Sequence, residues 1–300
     1  MRLPLALLGA VLAGAANVHA QTIVSPTEHL AFDRPEAWAQ AYFTSVSFLT
    51  GLDVTSSDAP GSVRVQLEGG WIPSLSPGEE QVGFAGTASE DLNKAPLFIR
   101  PRVQVGLPAR FSVIVGGVPP IRAFGITPRL IDLAVEWAMI DTAAWRLAWR
   151  AHGQTGTVTG AFTCPAAVVA LPPGGAGNPT GCEAPSADEA TLRYGAIEFD
   201  VARRIARLQS LTPHAAISLN DIHSRFQVDA HTFGRIDQTL LETGGVTWSI
   251  STGAALPIGR RVEVAVDAFY TPLAVQRSTL LPSVTDGLFN VRALASYRIR

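Results

Sequence analysis

"FNVRALASYRIR", Phe289 to Arg300, closes the chain and alternates without a break. Phe289, Val291, Ala293, Ala295, Tyr297 and Ile299 form one set; Asn290, Arg292, Leu294, Ser296, Arg298 and Arg300 form the other. Successive side chains of an extended strand point to opposite faces, so this reads as a strand that is apolar on one side and charged on the other. A soluble sandwich, with one face in water, and a strand set against lipid both fit that pattern. The rest of the sequence has to choose.

The same period of two runs through the body of the chain. "SVRVQLEGGW" sets Val63, Val65, Leu67 and Trp71 against Arg64, Gln66 and Glu68. "RPRVQVGL" sets Val103, Val105 and Leu107 against Arg100, Arg102 and Gln104. "LIDLAVEWAM" opposes Ile131, Leu133, Val135 and Trp137 to Asp132 and Glu136, and "WRLAWRAH" opposes Trp145, Leu147 and Trp149 to Arg146, Arg150 and His152. "GAIEFDV" opposes Ile197, Phe199 and Val201 to Glu198 and Asp200; "RVEVAVDAFY" opposes Val262, Val264, Val266 and Tyr270 to Arg261, Glu263 and Asp267. Such alternation is a strand signal and not a helix signal.

The start of the chain indicates export. Met1-Arg2 is a short basic leader, Leu3 to Ala16 is almost wholly apolar, and Val18-His19-Ala20 carries small residues of a cleavage site before Gln21. The run is shorter than the roughly 20 residues of a spanning helix, so residues 1–20 read as a cleaved signal peptide. Net charge is -2, Lys94 is the only lysine, and no basic patch suggests nucleic acid. Mean hydropathy is high, at +0.22, although no long apolar run follows the leader. Alternation explains that combination. Cys164 and Cys182 flank a Pro- and Gly-rich segment, and no further Cys or His nearby has metal-ligand spacing. In an oxidising compartment this reads as a disulfide, which would remove roughly 3 kcal/mol of unfolded-state entropy.

Three features favour lipid over water. Trp71, Trp137, Trp145, Trp149, Trp248 and Tyr270 fall mostly near strand ends on the apolar face, as an aromatic girdle would. The segments are near ten residues or longer, enough for a tilted crossing of a bilayer. The connections alternate between long and short. Long ones follow Ile72, Thr163, Val228 and Thr271, while "GLPAR", "IDTAA" and "LPIG" are tight turns. The pattern predicts an antiparallel all-β barrel of ten strands over 61–300, with twelve possible if the N-terminal segment contributes.

With the leader, the alternation, the girdle and the loop asymmetry, the chain resembles the Gram-negative outer-membrane β-barrels. The resemblance implies location in the bacterial outer membrane, contact with its lipid and lipopolysaccharide, and insertion by the barrel-assembly machinery. Such barrels often end on an aromatic residue; here the last aromatic is Tyr297, displaced from the end by Arg298-Ile299-Arg300.

"FDRPEAWAQAYFTSVSFLTGLD", Phe32 to Asp53, breaks the alternation within the N-terminal segment 21–60. Asp33 as cap, Pro35 in the first turn and Glu36 in a capping-box position predict a helix over 33–50, ended by Gly51. It could rest on the periplasmic rim or plug the lumen. The lumen-lining candidates are Arg64, Glu68, Arg100, Arg102, Asp132, Glu136, Arg146, Arg150, Glu198, Asp200, Glu263, Asp267 and Arg292. Their mixed signs suit either a packed polar bore or a charged constriction. Arg193 and Arg203 have the apolar parity and could reach lipid phosphates from strand ends.

Asp221, His223, Ser224, Asp229 and His231 form the densest group of catalytic residue types. Asp221 and His223 share parity while Ser224 faces the other way, so no catalytic residue is assigned and no enzyme is expected. No cofactor, metal site or nucleic-acid partner is expected either. The reading is a narrow or gated channel or transporter for a small solute of unknown identity. A structural or surface-interaction barrel is the alternative, and an outer-membrane hydrolase is the weaker third.

Overall fold

The protein is described from a computed structural model, which covers residues 22–52, 59–205 and 211–299. The proposed signal peptide and the terminal Arg300 lie outside the described residues. Ten strands make the wall: β1 (Val63–Trp71), β2 (Leu97–Gly106), β3 (Phe111–Val118), β4 (Ile126–Asp141), β5 (Trp145–Gly160), β6 (Tyr194–Arg203), β7 (Thr212–Gln227), β8 (Leu240–Ile258), β9 (Val262–Thr271) and β10 (Leu288–Arg298). Each pairs antiparallel with the next, and β10 pairs back onto β1, from Arg292 opposite Gly70 to Arg298 opposite Arg64. The sheet is therefore closed. The chain is a ten-stranded antiparallel β-barrel.

The alternation decides which face is which. Val65, Leu67, Ile131, Leu133, Ile197, Phe199, Ile217, Leu219 and Val291 are exposed on the outside. Their neighbours one residue away, among them Glu68, Asp132, Glu198, Ser218 and Arg292, are buried inside. Trp71 and Phe289 stand on the exterior at one end; Trp145 and Tyr297 stand on it at the other. An apolar band with aromatic borders and a polar interior is the inverse of a soluble protein and suits lipid. No described helix is long and apolar enough to cross a membrane; the strands are what cross. Connections at one end (the turn end) are short, such as 107–110, 142–144 and 259–261, whereas 72–96, 161–193 and 272–287 at the other (the loop end) are long.

The Cys164–Cys182 disulfide is present, with Cα atoms 5.6 Å apart. It staples the longest loop, in which the short strand Asp188–Thr191 bridges the tops of β5 and β7.

Among the described residues, the N-terminal segment contributes no strand to the ring of ten. Helix α1 (Pro35–Val46) lies in the loop-end half of the lumen with every residue but Phe43 buried. It differs from the predicted 33–50. Arg34 holds the N-cap position without a side-chain cap, and the Glu36 carboxylate accepts from the Ala85 amide instead of closing a capping box. A helix enclosed on all sides takes its end contacts from the surrounding structure, which overrides local signals. Ser47–Leu52 continues without helix down the bore, and Gly51 has a positive φ of 89° there. A Cβ on Gly51 would collide with the Ser251 side chain, so wall contact as well as conformation requires glycine. Before α1, Thr27–Leu30 pairs parallel with Leu240–Thr243 of β8 at the loop end. The described chain thus runs from the loop end down the bore as far as Leu52, and Gly61 lies at the turn end, its amide donating to the Gly106 carbonyl.

Leu219 lies opposite Ile197 and Trp248, in the middle of the apolar band. Replacing Leu219 with Arg is expected to destabilise the barrel by about 2–4 kcal/mol in a phospholipid bilayer, the range for a cation at the lipid midplane. Denaturant titration of the protein in liposomes, followed by the gel mobility of the folded form, measures it.

Candidate functional site: a plugged bore beneath an apolar cavity

The bore is filled by backbone, and the wall supplies its hydrogen-bond partners. Arg100 Nη1 donates to the Ser47 carbonyl at 2.8 Å, and Arg150 Nη1 donates to the Leu49 carbonyl at 3.2 Å. Arg292 donates to the carbonyls of both Phe48 and Thr50. In the other direction, the Leu49 amide donates to the Tyr194 hydroxyl at 3.0 Å and the Gly51 amide to the Glu198 carboxylate at 3.2 Å. The Thr50 hydroxyl lies 3.0 Å from that of Ser218, and Gln154 donates to the Ser47 hydroxyl at 2.9 Å. Irregular backbone at membrane depth survives only where every polar group is matched within the protein. Here side chains on four strands match the backbone groups of residues 47–51.

The arginines are balanced by carboxylates. Glu68 accepts from Arg100 through both oxygens, at 2.7–2.9 Å, and from Arg102 at 3.0 Å. Glu136 holds Arg146 and Arg150, and Glu198 lies 3.3 Å from Arg150 and 3.5 Å from His152. Asp132 is 3.6 Å from Arg100, and Asp267 is hydrogen-bonded to His214. Asp200 is buried two residues beyond Glu198, while Arg64 meets the partly exposed Glu263 at 4.0 Å nearer the turn end. All thirteen lumen candidates therefore lie on the inner face, and most of them form one belt around residues 47–52. Gln66, Gln104 and His152, which the alternation sets on the polar face, also line the bore, and sequence reading passed over Gln154, Tyr194, His214, Ser218, Asn220 and Ser249 as lining residues. Parity was the available signal on β1, β2, β5 and β6, where each lies an even number of positions from a charged inward neighbour; β7 and β8 carry no such charged marker.

Above the belt the chemistry changes. Between α1 and the wall, at the loop end, lies a cavity of about 570 Å3 whose surface is mostly apolar. Phe43, Phe98, Leu130, Val158, Leu192 and Phe226 are among its lining residues. Its size falls in the range of about 300–1,000 Å3 found for small-molecule sites. Among its lining are the charged residues Glu28, Arg34, Glu36, Glu90, Lys94 and Asp237, and Gln40 and Ser47 add buried polar groups from the α1 side. Arg34 is already paired to Glu36 at 3.0 Å and Lys94 to Asp91. No single strand carries this cavity, so no stretch of sequence announced it.

The candidate catalytic residues are not brought together. Asp221 and His223 form an exposed pair on the outer face, at 3.1 Å. Ser224 is buried on the inner face, 2.9 Å from the Thr44 hydroxyl, and His231 sits in a loop hairpin opposite Ala184. Arg193 and Arg203 are exposed; Arg203 lies over the Trp145 ring at 5.1 Å. Among the described residues, no group of three or more His, Cys, Asp or Glu could hold a metal.

A closed antiparallel barrel with an even strand number, an apolar exterior and a polar interior is an outer-membrane β-barrel. No family model matches the sequence, and no curated protein does. Solved structures similar to it include Ail, the attachment invasion locus protein of Yersinia pestis, at 9% identity and a TM-score of 0.32, covering 80% of this chain and 100% of that one. The outer membrane protease OmpT of Escherichia coli is 10% identical with a TM-score of 0.39, covering 80% of this chain and 94% of that one. A Pseudomonas aeruginosa FadL homologue is 10% identical with a TM-score of 0.24, covering 93% of this chain and 99% of that one. Scores this low carry no functional argument, and the class rests on the strand pairing itself.

Two outcomes follow from the charges. Glu68→Gln leaves Arg100 and Arg102 without their shared carboxylate and is expected to cost about 3–5 kcal/mol, as when a buried pair loses one partner. Equilibrium unfolding in liposomes reads it. In the loop layer, burial first, then the charges of Asp188 and Glu36, push the Glu90 carboxyl up to about 8. A raised carboxyl stabilises the folded loops fully below its ordinary value of about 4.5, and that contribution is lost as pH rises through about 8. Amide exchange in residues 80–92 should accelerate over this window, and Glu90→Gln should flatten the dependence.

Proposed function

We propose that the protein resides in the outer membrane of a Gram-negative cell and binds a small apolar molecule at its loop end, as a gated barrel and not an open pore. The cavity above the sealed bore carries this reading: a space of about 570 Å3 with a mostly apolar lining. Burying an apolar ligand there releases about 25 cal/mol per Å2 of apolar surface, while the charged belt below offers nothing to such a molecule. Residues 47–52 are the gate in this reading. Their contacts to the wall are hydrogen bonds, so passage through the bore requires breaking several at once.

In nanodiscs, 1-decanol is expected to bind saturably by calorimetry, with empty nanodiscs subtracted. Val158→Trp or Ala190→Phe, which fill the cavity, should weaken it by about tenfold, or about 1.4 kcal/mol. Equal binding by these variants overturns the reading. In planar bilayers the intact protein should show no ion steps. A Thr50→Cys/Ser218→Cys pair, built where the two hydroxyls are 3.0 Å apart, tests the gate. Any solute flux through the bore should stop on oxidation and return on reduction.

A further inference from the structure

The wall is incomplete beside the cavity. β2 pairs with β3 only from Arg102 opposite Gly116 to Gly106 opposite Ser112. Its loop-end half, Leu97–Pro101, keeps β1 on one side and has no strand on the other among the described residues. β3 pairs with β4 as far as Val118 opposite Leu130 and then ends. Beyond that row, β4 holds β5 alone, from Ile126 to Arg129. A gap therefore separates the upper parts of β2 and β4, beside the loop 119–125.

Three observations make this gap an opening and not a defect. First, the cavity touches both sides of the free edge of β2: Phe98 faces the lumen, whereas Leu97 and Ile99 are half-exposed members of the outer apolar band. The cavity is thus continuous with the surface that meets lipid. Second, prolines stand at its borders. Pro101, Pro119 and Pro128 all line the cavity and carry no N–H. A free edge in hydrocarbon leaves donors unsatisfied at a cost of several kcal/mol each, and proline removes the donor. Third, the comparable free edge on the opposite side is closed. In the upper part of β8, which β9 does not reach, Thr27–Leu30 pairs with Leu240–Thr243, and Phe32 packs on Gly245. The N-terminal segment covers one edge and leaves the other bare.

We infer that the cavity opens sideways into the membrane between β2 and β4 and exchanges with the lipid layer a molecule that has a long hydrocarbon part and an uncharged or cationic head. The inference rests on the apolar-ligand reading above and deepens it. The head is assigned by the charged residues of the lining. Glu28, Glu36 and Asp237 stand there against Arg34 and Lys94, whose charges are already paired. A carboxylate or phosphate head would meet net negative charge, and an alcohol or an ammonium would not. The hydrocarbon part lies along Phe98, Leu130 and Val158, and leaves across the edge of β2 without crossing water. The belt of arginines and carboxylates never contacts it.

The test uses full-length protein in liposomes. Both native cysteines are in the disulfide, so an introduced cysteine takes a bimane label selectively. Labels are placed at Phe98→Cys and, independently, at Ile126→Cys, on the two sides of the gap and facing the cavity; Leu219→Cys on the outer band is the reference. Phospholipid brominated along its acyl chains should quench both cavity labels to an extent comparable with the reference, and 1-decanol should relieve that quenching. Decanol should bind at least about tenfold more tightly than decanoate, with decyltrimethylammonium between them or tighter. Bound decanol with no quenching at either position overturns the lateral opening and leaves the cavity reading standing. Decanoate binding as tight as decanol overturns the assignment of the head. Absence of decanol binding to the unlabelled protein overturns both readings together. Retained electrophoretic mobility of the folded form shows that each labelled variant has closed its barrel.

Discussion

Four successive carbonyls, of Ser47, Phe48, Leu49 and Thr50, each accept a hydrogen bond from an arginine of the wall. The rest of the structure depends on that contact. An unwound segment inside a barrel has no ladder of its own, and its polar groups must be matched by something rigid. Guanidinium groups suit the task because each presents several donors in a fixed fork. Buried cations in turn need carboxylates, which is why Glu68, Glu136 and Glu198 stand beside Arg100, Arg150 and Arg146 and not elsewhere on the strands. The plug and the ion-paired belt are one construction.

That construction explains the route of the chain. The described N-terminal segment pairs with β8 at the loop end, forms α1 and descends the bore to Leu52. A sealed lower bore shifts any chemistry to the loop end, where α1 and the wall leave an apolar cavity between them. The short β3, joined to β2 by only five residue pairs, leaves the wall open beside the same cavity. Bore, cavity and gap thus follow from two local choices, a threaded N-terminus and a short third strand.

Much of the barrel was legible in the alternation alone. Leu67 beside Glu68 and Leu133 beside Asp132 each place a lipid-facing side chain next to a buried one, and period two reports that directly. The strand count followed from turn residues and the disulfide from two cysteines in an exported chain. Local signals were weaker in the N-terminal segment. Asp33, Pro35 and Glu36 marked a helix and nearly its start, but Glu36 is drawn to Ala85, forty-nine residues away, and the helix stops at Val46. The end of α1 is set by Arg100 and Tyr194, which claim the next backbone groups for themselves.

The sequence by itself determined the class of fold, the two faces of each strand and the inward position of the charged lumen candidates, such as Glu68, Arg100 and Arg292. Those properties depend on neighbours one or two positions apart, and a strand writes them in its own alternation. Only the tertiary structure decided that the segment after Asp33 threads the bore, which carboxylate balances which arginine, and that the wall is open between β2 and β4. Each of these joins residues far apart in the chain, and their pairing is fixed by closure of the barrel, which no local pattern encodes.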